Sequence, residues 1–227
     1  MAQKKGEMSS RKAGLEQYQK IYADLCFERG ELFELIQEKY HPMEVLYPGC
    51  SVHITPAFFF PHVVFVDQDP AARAFFSNHE SVLELVEQQR RYQRTPFIQF
   101  IFQDFNKPLP ALMNQFDLVL ALYTGGVAKA CSAYLKTGGL LLTNNHQNDA
   151  LEAAQEDELD LTAMVEMRQG KYRLVNQEAG KPLTIRNQAS QSKRYLRQTN
   201  SGVEYIENER YYIFRKTRQH QKAQTAQ

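Results

Sequence analysis

Five short apolar runs stand out in the first two thirds of the chain. They occupy residues 43–47, 62–67, 97–104, 116–123 and 139–144, and they are continuous rather than strictly alternating. Runs of this kind are typical of parallel strands that are buried on both faces of a sheet. Segments with helical spacing separate them. The pattern therefore predicts an α/β protein with right-handed crossovers and a doubly wound, mostly parallel sheet that carries helices on both faces.

The chain before the first run has helical spacing and predicts an N-terminal helical extension. We expect two helices that end near Tyr40, with a break near Gly30. Tyr18 and Tyr22 are one helical turn apart, which places both rings on one face. The segment could pack against the sheet as part of the core, or it could close over a ligand as a lid.

Capping residues mark the helices between the strands. Thr55 and Pro56 predict a short helical turn after the first strand, and Asp69 with Pro70 predicts a helix after the second. Residues 127–138 predict a helix that ends at the glycine pair before the fifth strand.

The pattern changes beyond residue 145. It predicts a helix over 149–167, a strand at 172–176 and a hairpin within 203–216, with a polar, basic insertion at 187–202. We divide the chain into an N-terminal helical segment (1–40), an α/β domain (41–216) and a disordered tail (217–227).

Composition changes this picture little. The 227 residues are 43% hydrophobic and 23% charged, and 27 basic residues balance 26 acidic ones, so nucleic acid and anionic membranes are not expected partners. Cys26, Cys50 and Cys131 are too few and too widely spaced for a disulfide framework or a metal site. No apolar stretch approaches the ~18 residues of a membrane span. We expect a cytoplasmic protein, and its oligomeric state is open.

Candidate chemistry lies where the predicted strands end. Ligands of open α/β sheets bind beyond the carboxyl ends of the strands, near the point where strand order reverses. Polar and aromatic residues follow all five strands: Tyr47, Gly49, Cys50 and Ser51 follow the first, Asp67 and Gln68 the second, Asp104 and Phe105 the third, Tyr123 the fourth and His146 the fifth.

These residues resemble the class I S-adenosylmethionine-dependent methyltransferases, over residues 40–215 and most clearly over 43–146. In that family the loop after strand one reads V-L-D-x-G-C-G-x-G, an acid closing strand two holds the ribose hydroxyls, and an acid after strand three lies near the adenine. The segment "VLYPGCSVH" matches this loop at Gly49 and Cys50. Asp67 matches the ribose acid, and Asp104 with Phe105 matches the adenine contact.

The resemblance implies a seven-stranded sheet and S-adenosylmethionine as cofactor. It implies cofactor contacts from Tyr47, Gly49, Cys50, Ser51, Asp67, Gln68, Asp104, Phe105 and Tyr123, and it implies no metal.

Three residues depart from the family pattern. Tyr47 replaces an acid, while Ser51 and His53 replace glycines. Ser51 is small enough to leave a path for the methionine portion of the cofactor, and Tyr47 could set an aromatic face near the cationic sulfonium. We therefore expect a rebuilt site with weaker affinity.

Methyl transfer depends mainly on the alignment of acceptor and methyl group. Tyr123 and His146 are the candidate catalytic residues, because a histidine pKa suits general-base work. The segment "ALYTGG" lacks the Asn/Asp-Pro-Pro-aromatic sequence of enzymes that methylate exocyclic base amines, so we expect a small-molecule or protein side-chain acceptor.

Three alternatives remain open. The chain could be a non-catalytic binding protein that kept the fold. It could be an NAD(P)-dependent oxidoreductase, because Asp67 lies about 20 residues beyond Gly49, although the loop lacks G-x-G-x-x-G. It could also bind RNA through basic residues near the C-terminus, namely Lys193, Arg194, Arg197 and those of segment 215–222.

Overall fold

The computed structural model describes residues 16, 18–24, 28–168, 171–176, 183–185, 196–199, 202–205 and 210–217. Most of the predicted tail, together with Lys193 and Arg194, lies outside the described residues. The described strands are β1 (Glu44–Pro48), β2 (His62–Asp67), β3 (Phe97–Phe102), β4 (Phe116–Ala121), β5 (Leu135–Thr143), β6 (Leu159–Arg168), β7 (Lys171–Asn176), β8 (Leu196–Thr199), β9 (Gly202–Tyr205) and β10 (Arg210–Lys216).

Eight of these strands form one sheet in the order β3-β2-β1-β4-β5-β10-β6-β7. The five strands that the apolar runs predict, β1 to β5, pair with one another in parallel. The chain passes from β1 outward to β2 and β3 and then returns to β4 on the other side of β1. Strand order therefore reverses between β1 and β4.

Helices cover both faces of the sheet. Helices α1 (Gly30–Tyr40), α2 (Pro70–Phe76) and α3 (His79–Gln89) pack on one face. Helices α4 (Val127–Cys131) and α5 (Asp149–Ala153) pack on the other. The prediction of a doubly wound, mostly parallel sheet is confirmed.

The two cores explain why the apolar runs do not alternate. Val45 and Tyr47 of β1 point into the first cluster, while Leu46 between them belongs to the second. Both faces of the central strands are buried, so successive side chains are all apolar.

Local predictions in the first half of the chain hold for the positions of the turns and helices, but Thr55 is the first residue of its turn and does not cap it. The break near Gly30 falls at Arg29, whose φ of 54° is left-handed and separates a single π-helical turn (Gln19–Ala23) from α1. The first crossover is one 3-10 turn, Thr55–Phe58. The Asp69 carboxylate accepts a hydrogen bond from the Ala71 backbone N–H at 2.8 Å and caps α2.

The predicted helix over 149–167 is wrong. Helix α5 ends at Ala153, and β6 begins at Leu159. Apolar and polar side chains alternate over residues 159–162, which is a strand period. Residues 163–165 are all apolar and buried, as in a strand covered on both faces. Pairing of β6 with β10 from Leu159 to Glu166 selects that period over the helical one.

The predicted helix over 127–138 is too long. Helix α4 ends at Cys131, and after one 3-10 turn β5 begins at Leu135, which pairs with Phe116 of β4. The glycine pair lies inside β5, where a β-carbon on Gly139 would come within 3.0 Å of the Phe116 carbonyl oxygen. Gly139 admits close backbone contact within the sheet, and Gly138 has a left-handed φ of 85° with open space around it, so the pair does not end a helix.

The predicted hairpin within 203–216 is also wrong. Strand β9 pairs with β8 in a separate two-stranded sheet, whereas β10 enters the main sheet between β5 and β6. The side chains of Tyr211, Tyr212, Ile213 and Phe214 are fully buried there. An isolated hairpin could not bury both faces of such a strand. With β10, β6 and β7 added to the five parallel strands, the sheet has eight strands instead of the expected seven.

Among the described residues, no helix is both long enough and apolar enough to cross a bilayer.

Candidate functional site

A cavity of about 270 Å³ lies beyond the carboxyl ends of β1 and β4, where strand order reverses. This is the position at which open α/β sheets bind ligands. Its walls come from the two strand ends, the loop after β1 and the segment before α1. The lining residues are Ile21, Tyr22, Arg29, Tyr47, Gly49, Ser51, His53, Leu122, Tyr123 and Thr124.

Gly49 opens the loop after β1, and a larger residue at this position would be strained. Its φ is +65°, and a β-carbon would lie 2.5 Å from the Thr124 side-chain oxygen. Its N–H donates to the carbonyl oxygen of Val66 at 2.8 Å, and Thr124 Oγ1 donates to the Gly49 carbonyl oxygen at 3.3 Å. The turn is thereby tied to the strand ends on both sides of β1.

Ser51 keeps a glycine-like backbone although its side chain is larger. Its φ is 49°, in the left-handed region that glycine favours. The Ser51 N–H donates to Oδ2 of Asp67 at 2.7 Å, and Oδ1 of the same carboxylate accepts from the Asp69 N–H at 2.8 Å. Asp67 therefore holds the loop after β1 in place.

His53 is buried behind this loop and has partners on both ring nitrogens. Nε2 lies 3.2 Å from the carbonyl oxygen of Glu28, and Nδ1 lies 3.0 Å from the Tyr47 hydroxyl. Because a carbonyl only accepts, Nε2 carries the proton and Nδ1 accepts from Tyr47. Burial, reinforced by the positive charge of Arg29, lowers the pKa of His53 to about 3. The imidazole is neutral.

The ring of Tyr22 stacks on this neutral imidazole. The two ring centroids are 4.3 Å apart and the planes differ by 6°. Burial raises the pKa of the Tyr22 phenol to about 12, although the nearby Ser51 side chain acts to lower it. Tyr22 thus lies directly against the loop after β1.

Tyr18 lies deeper than Tyr22. It is buried, stacks on Tyr22 with centroids 6.0 Å apart, and hydrogen-bonds to Glu28 and to Thr55. The two rings share one face, as their spacing predicts. Tyr18 belongs to the core and Tyr22 to the cavity wall.

Arg29 is the one positively charged side chain among the described residues that line the cavity. Its Nε donates to the Tyr211 hydroxyl at 2.8 Å, and Nη2 donates to the Tyr123 hydroxyl at 2.7 Å. The guanidinium carbon lies 4.5 Å from the centre of the Tyr123 ring. Arg29 thereby links the segment before α1 to the ends of β4 and β10.

Three lining residues other than glycine have left-handed backbones: Arg29, Ser51 and Tyr123, whose φ values are 54°, 49° and 57°. This conformation is uncommon for side chains as bulky as tyrosine and arginine. It persists where the surroundings over-determine the backbone, which happens most often at functional sites. The hydrogen bonds of these three residues supply that constraint.

The other predicted contacts lie outside the cavity wall. Asp104 accepts two hydrogen bonds from Asn106, which lower the pKa of its carboxyl group. Phe105 packs against the core cluster on the opposite face from Tyr47, and Gln68 is exposed. Cys50 is buried, which raises its thiol pKa, so it is not a ready nucleophile.

Asp104 nevertheless lies near Asp67. The loop after β3 begins with the Gln103 N–H, which donates to the Asp67 carbonyl oxygen at 3.0 Å. The two carboxylates follow neighbouring strand ends at the same edge of the sheet. Their assignment to ribose and adenine contacts stays a prediction.

His146 lies beside Tyr123, outside the residues that line the cavity. The ring centroids are 6.0 Å apart, and His146 is partly exposed. The Tyr123 N–H donates to the Asn144 side-chain oxygen at 3.1 Å, which ties the ends of β4 and β5 together. The catalytic roles of Tyr123 and His146 also stay predictions.

No protein-family model matches the chain, and no curated protein matches it by sequence. Solved structures do match. The cofactor-bound protein Rv0187 from MTB is 13% identical, the match covers 92% of this chain and 89% of that one, and the TM-score is 0.50. The chain has a Rossmann-like α/β fold.

Two methyltransferases match this fold with TM-scores below 0.5. The N-methyltransferase NodS from Bradyrhizobium japonicum WM9, in complex with S-adenosyl-L-homocysteine, is 13% identical; the match covers 84% of this chain and 87% of that one, with a TM-score of 0.48. A putative O-methyltransferase from Klebsiella pneumoniae is 11% identical over 84% of this chain and 80% of that one, with a TM-score of 0.43. Identities this low speak only to the fold.

Proposed function

We propose that the chain binds S-adenosylmethionine at the carboxyl ends of β1, β2 and β4 and transfers its methyl group to a small molecule or a protein side chain. The observation that carries this proposal is the hydrogen bond from the Ser51 N–H to Asp67, 2.7 Å long. It joins the loop after β1 to the acid that ends β2, so the two elements that the family resemblance assigns to the cofactor form one unit.

The side chains of the site suit the chemical groups of this cofactor. Arg29 offers a cation for the methionine carboxylate. Tyr47 offers an aromatic ring to a cationic sulfur, and the neutral His53 adds no repulsive charge. Asp67 retains acceptor capacity for the ribose hydroxyls, because a carboxylate has about four lone-pair sites and two are in use.

Bound there, S-adenosylmethionine would supply a methyl group on a positively charged sulfur. Tyr123 lies at the end of β4 and would form the wall against which an acceptor approaches. His146, beside Tyr123, would take the proton that the acceptor gives up. The remaining residues orient the two reactants and exclude water.

Tyr22 determines access to the site. The cavity volume of 270 Å³ is just below the ~300–1,000 Å³ of small-molecule pockets, and the Tyr22 ring forms one wall. We infer that this turn, Gln19–Ala23, moves away from the loop after β1 when the cofactor enters, so that Tyr22 loses its stacking on His53. Tyr18, buried in the core, would be the fixed end of that motion.

Calorimetric titration of the full chain with S-adenosylmethionine and S-adenosylhomocysteine tests the proposal. We expect saturable binding of both, and no binding of NADH or NADPH. Asp67→Asn should weaken binding, whereas Asp69→Asn, which keeps the cap of α2, should leave it unchanged. Turnover is measured as the transfer of labelled methyl groups from S-adenosylmethionine to pools of small molecules and proteins.

A non-catalytic binding protein is the second candidate, because Tyr22 lies against Ser51 and His53 within the site. The same titration separates the two. Absence of heat with both sulfur ligands would support the non-catalytic protein, and binding of a nicotinamide cofactor instead would support an oxidoreductase.

A further inference from the structure

Strand β3 ends the sheet opposite β7, and its outer edge has no partner strand among the described residues. The strand sequence, FIQFIF, carries no charge and no proline. Phe97 and Phe102 are 50% and 45% exposed. Exposed, uncharged edge strands are templates for pairing with another chain.

Within its six residues, β3 has none of three usual protections of a sheet edge, namely a charged side chain, a proline and a bulge. Its pairing with β2 is regular over all six residues, without a bulge. The strand at the other end of the same sheet, β7, carries Lys171 and Arg173, and such charges discourage pairing between edges. The contrast within one sheet points to β3 as an interaction surface.

The hydrogen bonds to β2 determine which backbone groups of β3 face outward. The Phe97 N–H donates to Pro61, and the Gln103 N–H donates to Asp67. Odd-numbered residues therefore bond to β2. The even-numbered residues Ile98 and Phe100 present their N–H and C=O groups outward.

We propose that β3 pairs with β3 of a second copy of this chain, in antiparallel orientation about a two-fold axis at Gln99. Ile98 then lies opposite Phe100, and their outward groups exchange hydrogen bonds. The two Gln99 residues face each other. Sixteen strands form one continuous sheet across two chains, eight from each.

Charges at the two ends of β3 favour this partner and this register. Arg94 lies five residues before Gln99 and Asp104 lies five after it, so the symmetric pairing sets Arg94 of each chain opposite Asp104 of the other. Arg94 is exposed, and Asp104 is partly exposed. Each chain offers one such edge, so the assembly closes as a dimer.

A cysteine at the axis tests the arrangement directly. Residues that face each other in a non-hydrogen-bonded antiparallel pair have Cα atoms about 4.5 Å apart, within the ~4.4–6.8 Å of disulfides. Mild oxidation of the full chain with Gln99→Cys should give a covalent dimer. Gln89→Cys, exposed on α3, is the matched control. Both variants also carry Cys26→Ser, so that their remaining native cysteines, Cys50 and Cys131, are buried. The control, and the Cys26→Ser chain without an added cysteine, should stay monomeric on a denaturing gel.

Sedimentation velocity measures the association itself. We expect a dimer of the wild type at concentrations of about 100 µM, and a dissociation constant that rises about tenfold or more in Gln99→Lys, because two like charges then lie directly opposite each other. Gln89→Lys should not change it. Arg94→Asp and Asp104→Arg should each weaken the dimer, and the double exchange should restore it.

A wild-type chain that stays monomeric at the highest concentration would overturn the proposal. So would a dimer that Gln99→Lys leaves intact and that Gln99→Cys fails to crosslink, because that dimer would use another surface. If Gln99→Lys does not fold, as judged by circular dichroism, the crosslinking result decides.

Discussion

Replacing Tyr22 with alanine should raise the affinity of the chain for S-adenosylmethionine. In the structure the Tyr22 ring stacks on His53, with ring centroids 4.3 Å apart. This contact lies against the loop that we assign to the cofactor. A ligand that enters must first break it, so the measured affinity includes its loss.

The size of the gain follows from this contact. A stacked aromatic pair contributes about 0.5–1.5 kcal/mol beyond its area burial, which corresponds to a rise in affinity of about 2- to 12-fold. Tyr22→Phe keeps the ring and its stacking, so its affinity should stay close to that of the wild type.

Calorimetric titration measures the affinity of both variants for S-adenosylmethionine, and thermal melts verify that they fold. Tyr92→Phe is the matched control, because the Tyr92 hydroxyl donates to the Ala57 carbonyl oxygen at 2.8 Å, away from the cavity. Its affinity should equal that of the wild type. Unchanged or weaker binding by a folded Tyr22→Ala protein would refute the reasoning, since the ring would then not block the ligand.

Three further substitutions test other parts of the site. Gly49→Ala should lower the free energy of unfolding in urea by about 2–4 kcal/mol, from left-handed strain and the contact with Thr124. Asp67→Ala should weaken S-adenosylmethionine binding about 10- to 100-fold in calorimetry, because charged hydrogen bonds are lost; equal affinity in a folded variant would assign the ribose elsewhere. Burial raises the pKa of Asp149 from 3.8 to about 6. The protein should therefore lose native stability as pH rises between those values, because the folded state keeps a proton that the unfolded chain releases. Asp149→Asn should therefore be more stable than the wild type by up to about 3 kcal/mol at pH 8 and nearly equal to it at pH 4, as thermal melts would measure.

The central strands could be predicted because burial on both faces leaves a direct trace in the sequence. Val45, Leu46 and Tyr47 are all buried, and a continuous apolar run records that fact. Strand β6 could not be recognised in the same way. The residues of β6 also fit a helical spacing in part. Only the pairing with β10, nearly fifty residues further along the chain, decides between a helix and a strand.

The residues of the candidate site also fall into those that the sequence could predict and those that it could not. Gly49 and Asp67 could be named in advance because each follows a predicted strand, and the topology brings strand ends together. Arg29 gave no such signal, since it belongs to the segment before α1 and reaches the cavity only through its contacts with Tyr123 and Tyr211. His53 is neutral because it is buried and lies near Arg29. Neither its burial nor this neighbour could be predicted from the residues next to it in the sequence.

Ser51 shows how a glycine loop can persist without one of its glycines. The loop needs a left-handed backbone at this position, which costs a serine about 1–2 kcal/mol relative to glycine. The Ser51 N–H bonds to the Asp67 carboxylate in that conformation, and a hydrogen bond to a charged group contributes about 1.5–3 kcal/mol. The second quantity offsets the first, so an acid on the neighbouring strand can hold the turn that glycine would otherwise adopt freely. The geometry of the loop is thus encoded jointly by residues 51 and 67, and a glycine pattern read along the chain alone would miss it.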